Sequence, residues 1–470
     1  MKKFTKGLLI TLVFLILLFL IYGLVTFPPI MRGMAAKTMC SCVYVTGRSP
    51  ESVVRKELQV FPGLADIELE MNNKDSTVTA RMMWQSSKAI YRKGLGCTLL
   101  AEADESEVRK QHFKIYDGFL PGQDTIPCPA GDLNARSNPG NIDIEKINKI
   151  VNDAFIDKDS ENPVNTHAVV AVYNGKIISE KYAEGFGPQS VLMGWSMSKS
   201  ITNALIGILV KEGKLQVEAP APVEAWQADD RKHITLKDLL QASSGLAWSE
   251  SYFVPGADFH NMFIHSDDKA AYAATRKLEH DPGEFFQYSS GTTNILSKII
   301  RQTVGEEKYH RFPYDCLFSI IGMHRALMEP DASGTFVASS YAYASARDWA
   351  RLGLLYVNDG VWEGKRVLPE GWVQYSTTPA PAAKRREYGA QIWLNAGEEA
   401  NPDNVEYPGL PHEAIIFDGF EKNYVVLIPS KNLVVVRLGV THNRNFSLAN
   451  LVTGIVDLLP DADSLARKGE

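Results

Sequence analysis

Gly194-Trp195-Ser196-Met197-Ser198-Lys199-Ser200 is the stretch around which the rest of this sequence is organised. A helix that begins at about Ser196 would place the side chains of Ser196 and Lys199 on one face of its first turn. A serine hydroxyl is a poor nucleophile until a base takes its proton, and a partly desolvated lysine near a helix N-terminus can act as that base. The apolar spacing of residues 201–215 predicts the buried helix that such a pair requires. By themselves these residues more often mark an ordinary helix start capped by a serine, so the remaining motifs have to decide.

The composition is that of a globular protein. The chain has 470 residues, of which 45% are hydrophobic and 22% are charged, and its net charge is −6. This balance gives no indication of nucleic-acid binding, and no repeat or low-complexity segment is present. The length and the distribution of motifs predict three parts: a membrane anchor or signal peptide at 1–35, a small cysteine-containing α+β region with a linker at 36–140, and a large domain at 141–462.

The N-terminus predicts attachment to a membrane. Lys2, Lys3 and Lys6 precede residues 7–27, which carry no charge and are long enough to cross a bilayer as a helix. Pro28 and Pro29 are expected to end that helix. Positive charge before the span predicts a single-pass protein of the bacterial inner membrane, with a cytoplasmic N-terminus and a periplasmic or otherwise extracytoplasmic main domain. A cleaved signal peptide is the alternative, because small residues occur near residue 35.

Four cysteines fit an exported chain. Cys40, Cys42, Cys97 and Cys128 precede the large domain, whereas Cys316 stands alone. The four allow two disulfides with three possible connectivities. Zinc binding and lipid modification of Cys40 are weaker alternatives, since no paired spacing or suitable preceding sequence supports them.

The accessory region reads as α+β. The pattern predicts a short helix at 50–58 and strands at 65–71, 76–84 and 88–100, followed by a linker at 121–141 that is rich in proline, glycine, aspartate and asparagine.

Both ends of the large domain predict β-hairpins. Asn174-Gly175 separates two apolar runs in residues 167–182, which is a strong hairpin signal. Strands at 424–428 and 433–439 form the second hairpin. Helices are predicted at 142–156 and 446–459. The two ends are therefore expected to share one antiparallel sheet backed by helices.

Three further stretches complete a pattern. They read TLKDLLQASSGLAW at 235–248, PGEFFQYSSGTTNILSKI at 282–299 and SARDWARLGLLYVNDGVWEGKRVLPEGW at 345–372. Together with the stretch at 194–215, they resemble the serine β-lactamase-like family, which includes class C β-lactamases, penicillin-binding D-Ala-D-Ala carboxypeptidases, esterases and 6-aminohexanoate-dimer hydrolases. The resemblance covers roughly 150–460 and is greatest to the 6-aminohexanoate-dimer hydrolases. It implies a mixed α+β and α/β fold, in which helices flank an antiparallel sheet and an all-helical subdomain is attached.

The resemblance also implies roles for individual residues. Ser196 would be the acylated nucleophile and Lys199 the base beside it. Tyr288 would pass a proton between nucleophile and leaving group, unless it is only a core aromatic. Ser290 would hydrogen-bond the lysine or the substrate. Tyr252 would face the substrate, with an exposed loop aromatic as the alternative.

A third family motif, K-T-G or H-x-G, is altered here. Counting back from Ile428-Pro429-Ser430 places it on Phe420-Glu421-Lys422, whereas a register shifted by three gives Phe417-Asp418-Gly419. In either register the first residue is neither His nor Lys. Because that position commonly helps to bind a substrate carboxylate, recognition of β-lactams or D-Ala-D-Ala is in doubt. In the first register the oxyanion would lie between the backbone N–H groups of Ser196 and Asn423.

These patterns predict a membrane-anchored serine hydrolase that cleaves an amide or ester of a small molecule. No metal, cofactor or nucleic acid is expected, because the ten histidines show no ligand spacing. Two alternatives remain: a penicillin-binding cell-wall enzyme of the D-Ala-D-Ala carboxypeptidase type, and a catalytically silent binding protein on the same fold.

Overall fold

The computed structural model describes residues 2–116, 142–442 and 445–460, together with 120, 126, 128, 129, 131 and 133. Most of the predicted linker at 121–141 lies outside the described residues. The helices are, in chain order, α1 (Lys2–Cys40), α2 (Pro50–Arg55), α3 (Glu105–Lys110), α4 (Ile144–Asp153), α5 (Ser198–Lys211), α6 (Leu236–Leu240), α7 (Asp258–His265), α8 (Lys269–Ala274), α9 (Ser290–Val304), α10 (Glu306–Tyr309), α11 (Ser319–Ile321), α12 (Ala346–Val357), α13 (Trp372–Thr377) and α14 (Leu448–Val456).

Among the described residues, eight strands lie where the sequence predicts strands and seven do not. They are β1 (Glu68–Asn72), β2 (Thr77–Met82), β3 (Gln85–Arg92), β4 (Gly96–Leu100), β5 (Thr166–Tyr173), β6 (Lys176–Tyr182), β7 (Leu192–Met193), β8 (Leu327–Met328), β9 (Ala342–Ala344), β10 (Val361–Trp362), β11 (Lys365–Arg366), β12 (Trp393–Leu394), β13 (Ile415–Gly419), β14 (Asn423–Ile428) and β15 (Leu433–Gly439). The single strand predicted at 88–100 is two strands, β3 and β4, with Lys93-Gly94-Leu95 between them.

The chain divides into two compact units. The accessory unit consists of Met1–Arg92, Cys97–Arg109 and Ser249–Asp267, and the main unit takes Lys93–Gly96, Lys110–Trp248 and Asp268–Glu470. The predicted accessory region thus gains a segment from the middle of the sequence.

The accessory unit is built on α1 and a four-stranded sheet in the order β1-β2-β3-β4. The expectation that Pro28 and Pro29 end the first helix was wrong, because α1 continues through both prolines to Cys40. Each proline removes a backbone donor from the helix. The helix persists because its later part packs on β2, β3 and α7, and burial of an amphipathic face stabilises a helix more than propensity does. A Cβ on Gly33 would lie 2.8 Å from Ile264 Cγ2, so that α1 and α7 approach closely there.

Within the part of the chain whose placement is described, no helix combines the length and the apolar character that a bilayer crossing requires. The structure therefore does not support the transmembrane anchor that the sequence predicts over residues 7–27.

One disulfide ties the accessory unit together. Cys40, at the end of α1, is bonded to Cys97 in β4. Cys42 and Cys128 are buried thiols, so the second disulfide that four cysteines would allow is not formed between them.

The main unit contains the sheet that joins both ends of the large domain. Its order is β12-β13-β14-β15-β5-β6, all antiparallel, and β15 pairs with β5 from Leu433 opposite Tyr173 onwards. Every residue of β5, β14 and β15 is buried, because helices cover both faces. One face packs on α4 and α14, and α12 lies on the other. The predicted shared sheet and both hairpins are confirmed.

Between β7 and β8 the described helices and strands are all helices. In the main unit these are α5, α6, α8, α9, α10 and α11, with α5 buried along most of its length. This arrangement matches the expected helical part of a mixed α/β fold. It brings the N-termini of α5 and α9 together, and the turn before α5 lies against β13.

Candidate active site

The turn that carries Ser196 is tightly fixed. Residues Trp195–Met197 form a 3-10 turn, and α5 begins two residues later than predicted, at Ser198. Trp195 has a φ of +48°, which is unusual for a residue with a side chain. A Cβ on Gly194 would lie 2.2 Å from the ring of Trp349, so only glycine fits before the turn. Ser198 Oγ donates to Trp195 O at 2.6 Å and accepts from a backbone amide of β9 at 3.0 Å, which ties the turn to its surroundings.

Lys199 reaches the serine as predicted. Its Nζ lies 3.0 Å from Ser196 Oγ, 3.2 Å from Ser290 Oγ and 3.0 Å from Ser339 O. The lysine is only 2% exposed, so these contacts replace water around the amine. A carbonyl oxygen such as that of Ser339 can only accept a hydrogen bond. In the neutral amine, two N–H groups serve Ser290 and Ser339, and the lone pair is left facing the Ser196 hydroxyl.

The residues that contact the Lys199 amine lie at the starts of two helices and in one loop. Ser290 is the first residue of α9, whose N-cap Ser289 accepts from Thr292 N at 3.1 Å. Ser339 lies in the loop between β8 and β9. The side chain of Asn294 holds that loop: Nδ2 donates to Ser339 Oγ at 3.2 Å, and Oδ1 accepts from Ser339 N at 3.4 Å. Sequence reasoning missed Ser339, because a backbone carbonyl leaves no signal in residue identity.

Tyr288 packs against the lysine through its ring. The ring centroid lies 4.8 Å from Lys199 Nζ, a distance at which the ring face attracts an ammonium group. Tyr288 is half-buried, and its ring also contacts Trp393 at 5.1 Å and Tyr388 at 5.8 Å between centroids. The structure therefore brings the predicted Tyr288 to the lysine, and adds two aromatic neighbours that the sequence did not single out.

The altered third motif lies against the turn of the nucleophile. Gly419, the last residue of β13, is so near that a Cβ on it would lie 2.2 Å from Gly194 O. The family motif has a glycine at its end for such an approach, so this geometry favours the register Phe417-Asp418-Gly419 over the first one. In that register Phe417 stands at the first position, and it is 1% exposed and packed edge-on against Tyr356.

Asn423 begins the strand after this motif. Its Nδ2 donates to Phe420 O at 2.7 Å and its Oδ1 accepts from Gly439 N at 2.9 Å. The side chain thereby holds the short turn Phe420–Lys422 in place. The role predicted for its backbone N–H in an oxyanion hole stays a prediction.

Glu421 is a second residue that sequence reasoning did not use. It is 7% exposed, and its Oε2 accepts from Trp195 Nε1 at 3.3 Å. His442 Nδ1 lies 3.4 Å from its other oxygen. The sequence placed Glu421 inside the altered motif but gave no signal that it would contact the residue before the nucleophile, because that contact joins positions 226 residues apart.

Tyr252 lies in the segment Ser249–Asp267, which belongs to the accessory unit. Its ring packs edge-on against Phe259 with 4.6 Å between centroids, and its hydroxyl lies 3.5 Å from Glu250 Oε1. Its predicted role toward the substrate stays a prediction.

Acidic groups near the site include Asp418, which receives a hydrogen bond from Tyr407 Oη at 2.6 Å. Burial raises the pKa of Asp418 to about 7, more than Tyr407 and Lys422 lower it. Among the described residues, no group of three or more histidine, cysteine or acidic side chains is arranged to hold a metal ion.

Comparison with known proteins agrees with this geometry. A 6-aminohexanoate-dimer hydrolase from Paenarthrobacter ureafaciens is 26% identical over 275 residues, which are 52% of this chain and 68% of that protein. A teichoic acid D-alanine hydrolase from Staphylococcus aureus is 24% identical over 203 residues, 40% of this chain and 48% of that protein. The chain thus spans about two thirds of the first relative and about half of the second.

Solved structures show the same fold. A penicillin-binding protein homologue from Caulobacter crescentus superposes with a TM-score of 0.54 at 14% identity, covering 69% of this chain and 99% of that one. A candidate 6-aminohexanoate-dimer hydrolase from Bacillus anthracis superposes with a TM-score of 0.53 at 21% identity, covering 71% of this chain and 87% of that one. The sequence model of the Beta-lactamase family matches residues 152–452, which is more than half of the chain. The resemblance indicated by the sequence is confirmed: this protein belongs to the Beta-lactamase family and is a serine hydrolase.

Proposed function

We propose that this protein cleaves an amide or ester through an acyl-enzyme on Ser196. The observation that carries the proposal is the buried amine of Lys199, 3.0 Å from Ser196 Oγ. Its two other acceptors, Ser290 Oγ and Ser339 O, direct the lone pair of the neutral amine toward the serine. A nucleophile paired with an oriented base is the arrangement that covalent catalysis requires.

The reaction would proceed in two halves. In the first, Ser196 Oγ attacks the carbonyl carbon while Lys199 Nζ takes the hydroxyl proton, and that proton then passes to the leaving amine or alcohol as its bond to carbon breaks. In the second, water gives a proton to the neutral lysine and attacks the ester on Ser196. Release of the acid returns the proton to the serine.

Tyr288 would assist the charged states of the lysine. Its ring face, 4.8 Å from Nζ, favours the ammonium that forms when Ser196 loses its proton. We propose that its hydroxyl passes the proton to the leaving group, as the resemblance implies.

We propose that the substrate is an ω-amino-acid amide or a simple ester and not a β-lactam. Phe417 and Phe420 occupy the two candidate first positions of the third motif, so that neither register places a cation at the position that, by the resemblance, would help to bind the carboxylate of a β-lactam. The relative from P. ureafaciens, whose name describes cleavage of an aminohexanoate dimer, supports this substrate class. A penicillin-binding cell-wall enzyme is the rival.

We also propose that the protein is extracytoplasmic. A disulfide such as Cys40–Cys97 persists in oxidising compartments and is rare in the cytosol. Alkylation of thiols in intact bacteria, with and without prior reduction, would test this: protection of Cys97 until reduction is expected, and immediate alkylation would contradict it.

The test of the function is covalent labelling followed by intact-mass measurement. The purified full-length chain would be treated with a fluorophosphonate and, separately, with a penicillin. Ser196→Ala would be compared with Ser430→Ala, which changes an exposed serine. We expect one fluorophosphonate adduct on the wild type and on Ser430→Ala, none on Ser196→Ala, and no stable penicilloyl adduct.

The other outcomes are equally informative. A penicilloyl adduct on Ser196 would favour the cell-wall enzyme. A folded wild-type protein that takes no adduct from either reagent would contradict the hydrolase and leave the silent binding protein. After a positive result, release of amine from aminohexanoyl amides and of acid from short esters would separate the two substrate classes.

A further inference from the structure

A buried carboxylate touches the residue that precedes the nucleophile. Glu421 Oε2 accepts a hydrogen bond from the indole Nε1 of Trp195 at 3.3 Å, and the glutamate is 7% exposed. Trp195 is directly bonded to Ser196, so any force on the indole is transmitted to the backbone of the nucleophile. This contact takes no part in the chemistry proposed above.

Both partners lie in unusual backbone conformations. Trp195 has a φ of +48°, and Glu421 and Lys422 each have a φ of +64°. A residue with a side chain held in this region is strained, and this conformation persists only where surrounding contacts determine it. Such conformations cluster at functional sites, where the strain serves to place a group.

We call residues 417–422, which form the end of β13 and the turn after it, the strap; hydrogen bonds hold the part of the strap that carries Glu421. The buried side chain of Arg437 donates through Nη1 to Glu421 O at 3.1 Å and to Lys422 O at 2.8 Å. Thr441 N donates to Glu421 O at 3.2 Å. Because Arg437 lies in the middle of the buried strand β15, these bonds connect the strap rigidly to the central sheet.

The strap also presses on the nucleophile turn at two further points. Phe420 contacts the ring of Trp195 edge-on, with 5.5 Å between centroids. Gly419 lies against Gly194 O, with no room for a Cβ. The turn at 194–196 is thus held by three contacts with the strap, and the hydrogen bond from Trp195 to Glu421 is the directional one among them.

We propose that Glu421 is a positioning residue for the nucleophile: by holding the indole of Trp195, it fixes the turn and keeps Ser196 Oγ in line with Lys199 Nζ. The inference rests on the proposed function, because it requires Ser196 to be the nucleophile. A displacement of about 1 Å at a reacting group can lower a rate by as much as 100-fold, so a modest release of the turn would be measurable.

The experiment measures the rate at which a fluorophosphonate modifies Ser196 in the full-length protein, together with the thermal midpoint. The variants are Glu421→Ala, Glu421→Gln, Trp195→Phe and the double variant Glu421→Ala/Trp195→Phe. Glu363→Ala is the matched control, since Glu363 is also a glutamate at positive φ but is exposed in a remote turn.

We expect Glu421→Ala to slow modification about tenfold and Glu421→Gln to retain most of the rate, because the amide oxygen still accepts from the indole. Trp195→Phe, which keeps a ring against Phe420 but lacks the N–H, should slow it by a similar factor. In the double variant, loss of Glu421 should have no further effect. The control should react at the wild-type rate.

Two results would overturn the inference: a wild-type rate in Glu421→Ala, or losses from Glu421→Ala and Trp195→Phe that multiply in the double variant. If Glu421→Ala does not fold, Trp195→Phe decides, because the proposal predicts that it reacts about tenfold more slowly, whereas a purely structural role of Glu421 predicts the wild-type rate. Failure of the wild type itself to react would instead contradict the proposed function.

Discussion

The two sides of Ser196 differ in how they are built. On one side, the buried amine of Lys199 contacts the hydroxyl groups of Ser196 and Ser290 and the ring of Tyr288. On the other side, the strap has phenylalanine at the first position of the third motif in either register. Phe417 packs against Tyr356, and Glu421 contacts Trp195.

This difference suggests separate tests of the residues proposed for catalysis and of those at the motif implied in substrate binding. In the proposed mechanism the lysine side supplies the base that activates Ser196. The strap side holds the altered third motif, which by the resemblance would help to bind a substrate carboxylate, and its described contacts are with the turn that carries Ser196. Variants on each side should therefore fail in different ways: those on the lysine side should lose rate in a stable protein, and those on the strap side should lose stability as well.

Lys199→Met should have the largest effect. Removing the base while keeping an unbranched apolar side chain should slow modification of Ser196 by about 10³-fold, near the middle of the range for a general base. The measurement is the second-order rate constant with a fluorophosphonate. Lys214→Met, just beyond the C-terminus of α5, is the control and should react normally. A variant that kept more than a tenth of the rate would show that another group removes the proton.

Gly419→Ala should disrupt the packing of the strap against the turn that carries Ser196. Its Cβ would lie 2.2 Å from Gly194 O, a backbone atom that cannot turn away, so we expect a loss of about 2–3 kcal/mol in the free energy of unfolding. Urea denaturation measures the loss. Gly187→Ala is the control, because nothing lies within 4 Å of the added methyl group. If Gly419→Ala were as stable as the control, Gly419 would not be the close-approach glycine of the third motif.

The sequence predicted the lysine side better than the strap side, for a physical reason. Ser196 lies in the turn that leads into α5 and Lys199 lies in the first turn of α5, so their spacing of three residues is enough to bring them together. The hairpin at Asn174-Gly175 was equally accessible, because turn chemistry is local. The register of the third motif depends instead on which residue of β13 meets Gly194, and that contact is fixed by packing of the whole sheet.

Contacts between residues far apart in the sequence also explain the features that the sequence analysis missed or predicted wrongly. Two prolines end most helices, yet α1 continues because its later part is buried on β2 and β3. Ser339 acts through a carbonyl, and Glu421 through an indole in a distant segment. None of these outcomes can be read from residue identity or spacing alone.

Two neighbouring serines at the start of α9 allow a finer test of the lysine side. Ser290 Oγ accepts from Lys199 Nζ, whereas Ser289 caps the helix and does not contact the amine through any described bond. Ser290→Ala should slow modification of Ser196 about tenfold, since the amine loses one of the acceptors that orient it, with little change in stability. Ser289→Ala should instead cost about 1 kcal/mol of stability through the lost cap. Equal losses of rate in the two variants would show that Ser290 acts only through the helix start.

The smallest predicted effect is a change in stability with pH that Asp418 on β13 produces. Asp418 is half-buried on β13 with a pKa of about 7, mainly because burial disfavours its charged form, while in the unfolded chain a carboxyl of this kind has a pKa near 4. The folded protein therefore binds the proton more tightly than the unfolded chain does. This contribution to stability is complete below about pH 4 and is lost as the pH rises to about 7. Glu406, whose pKa burial also raises, should add to the same trend.

Asp418→Asn removes the titration but keeps an oxygen that accepts from Tyr407 Oη. The variant should thus be about 1–2 kcal/mol more stable than the wild type at pH 8 and equal to it near pH 4. This difference is smaller than the full pKa shift would give, because the carboxyl group is partly accessible to water. Urea midpoints at both pH values measure this, with Asp403→Asn as the exposed control. If Asp418→Asn were less stable than the wild type at pH 8, the carboxylate would have to be charged and paired in the folded state. The acidic group at the third motif would then be a fixed negative charge beside the nucleophile turn instead of a neutral part of the sheet.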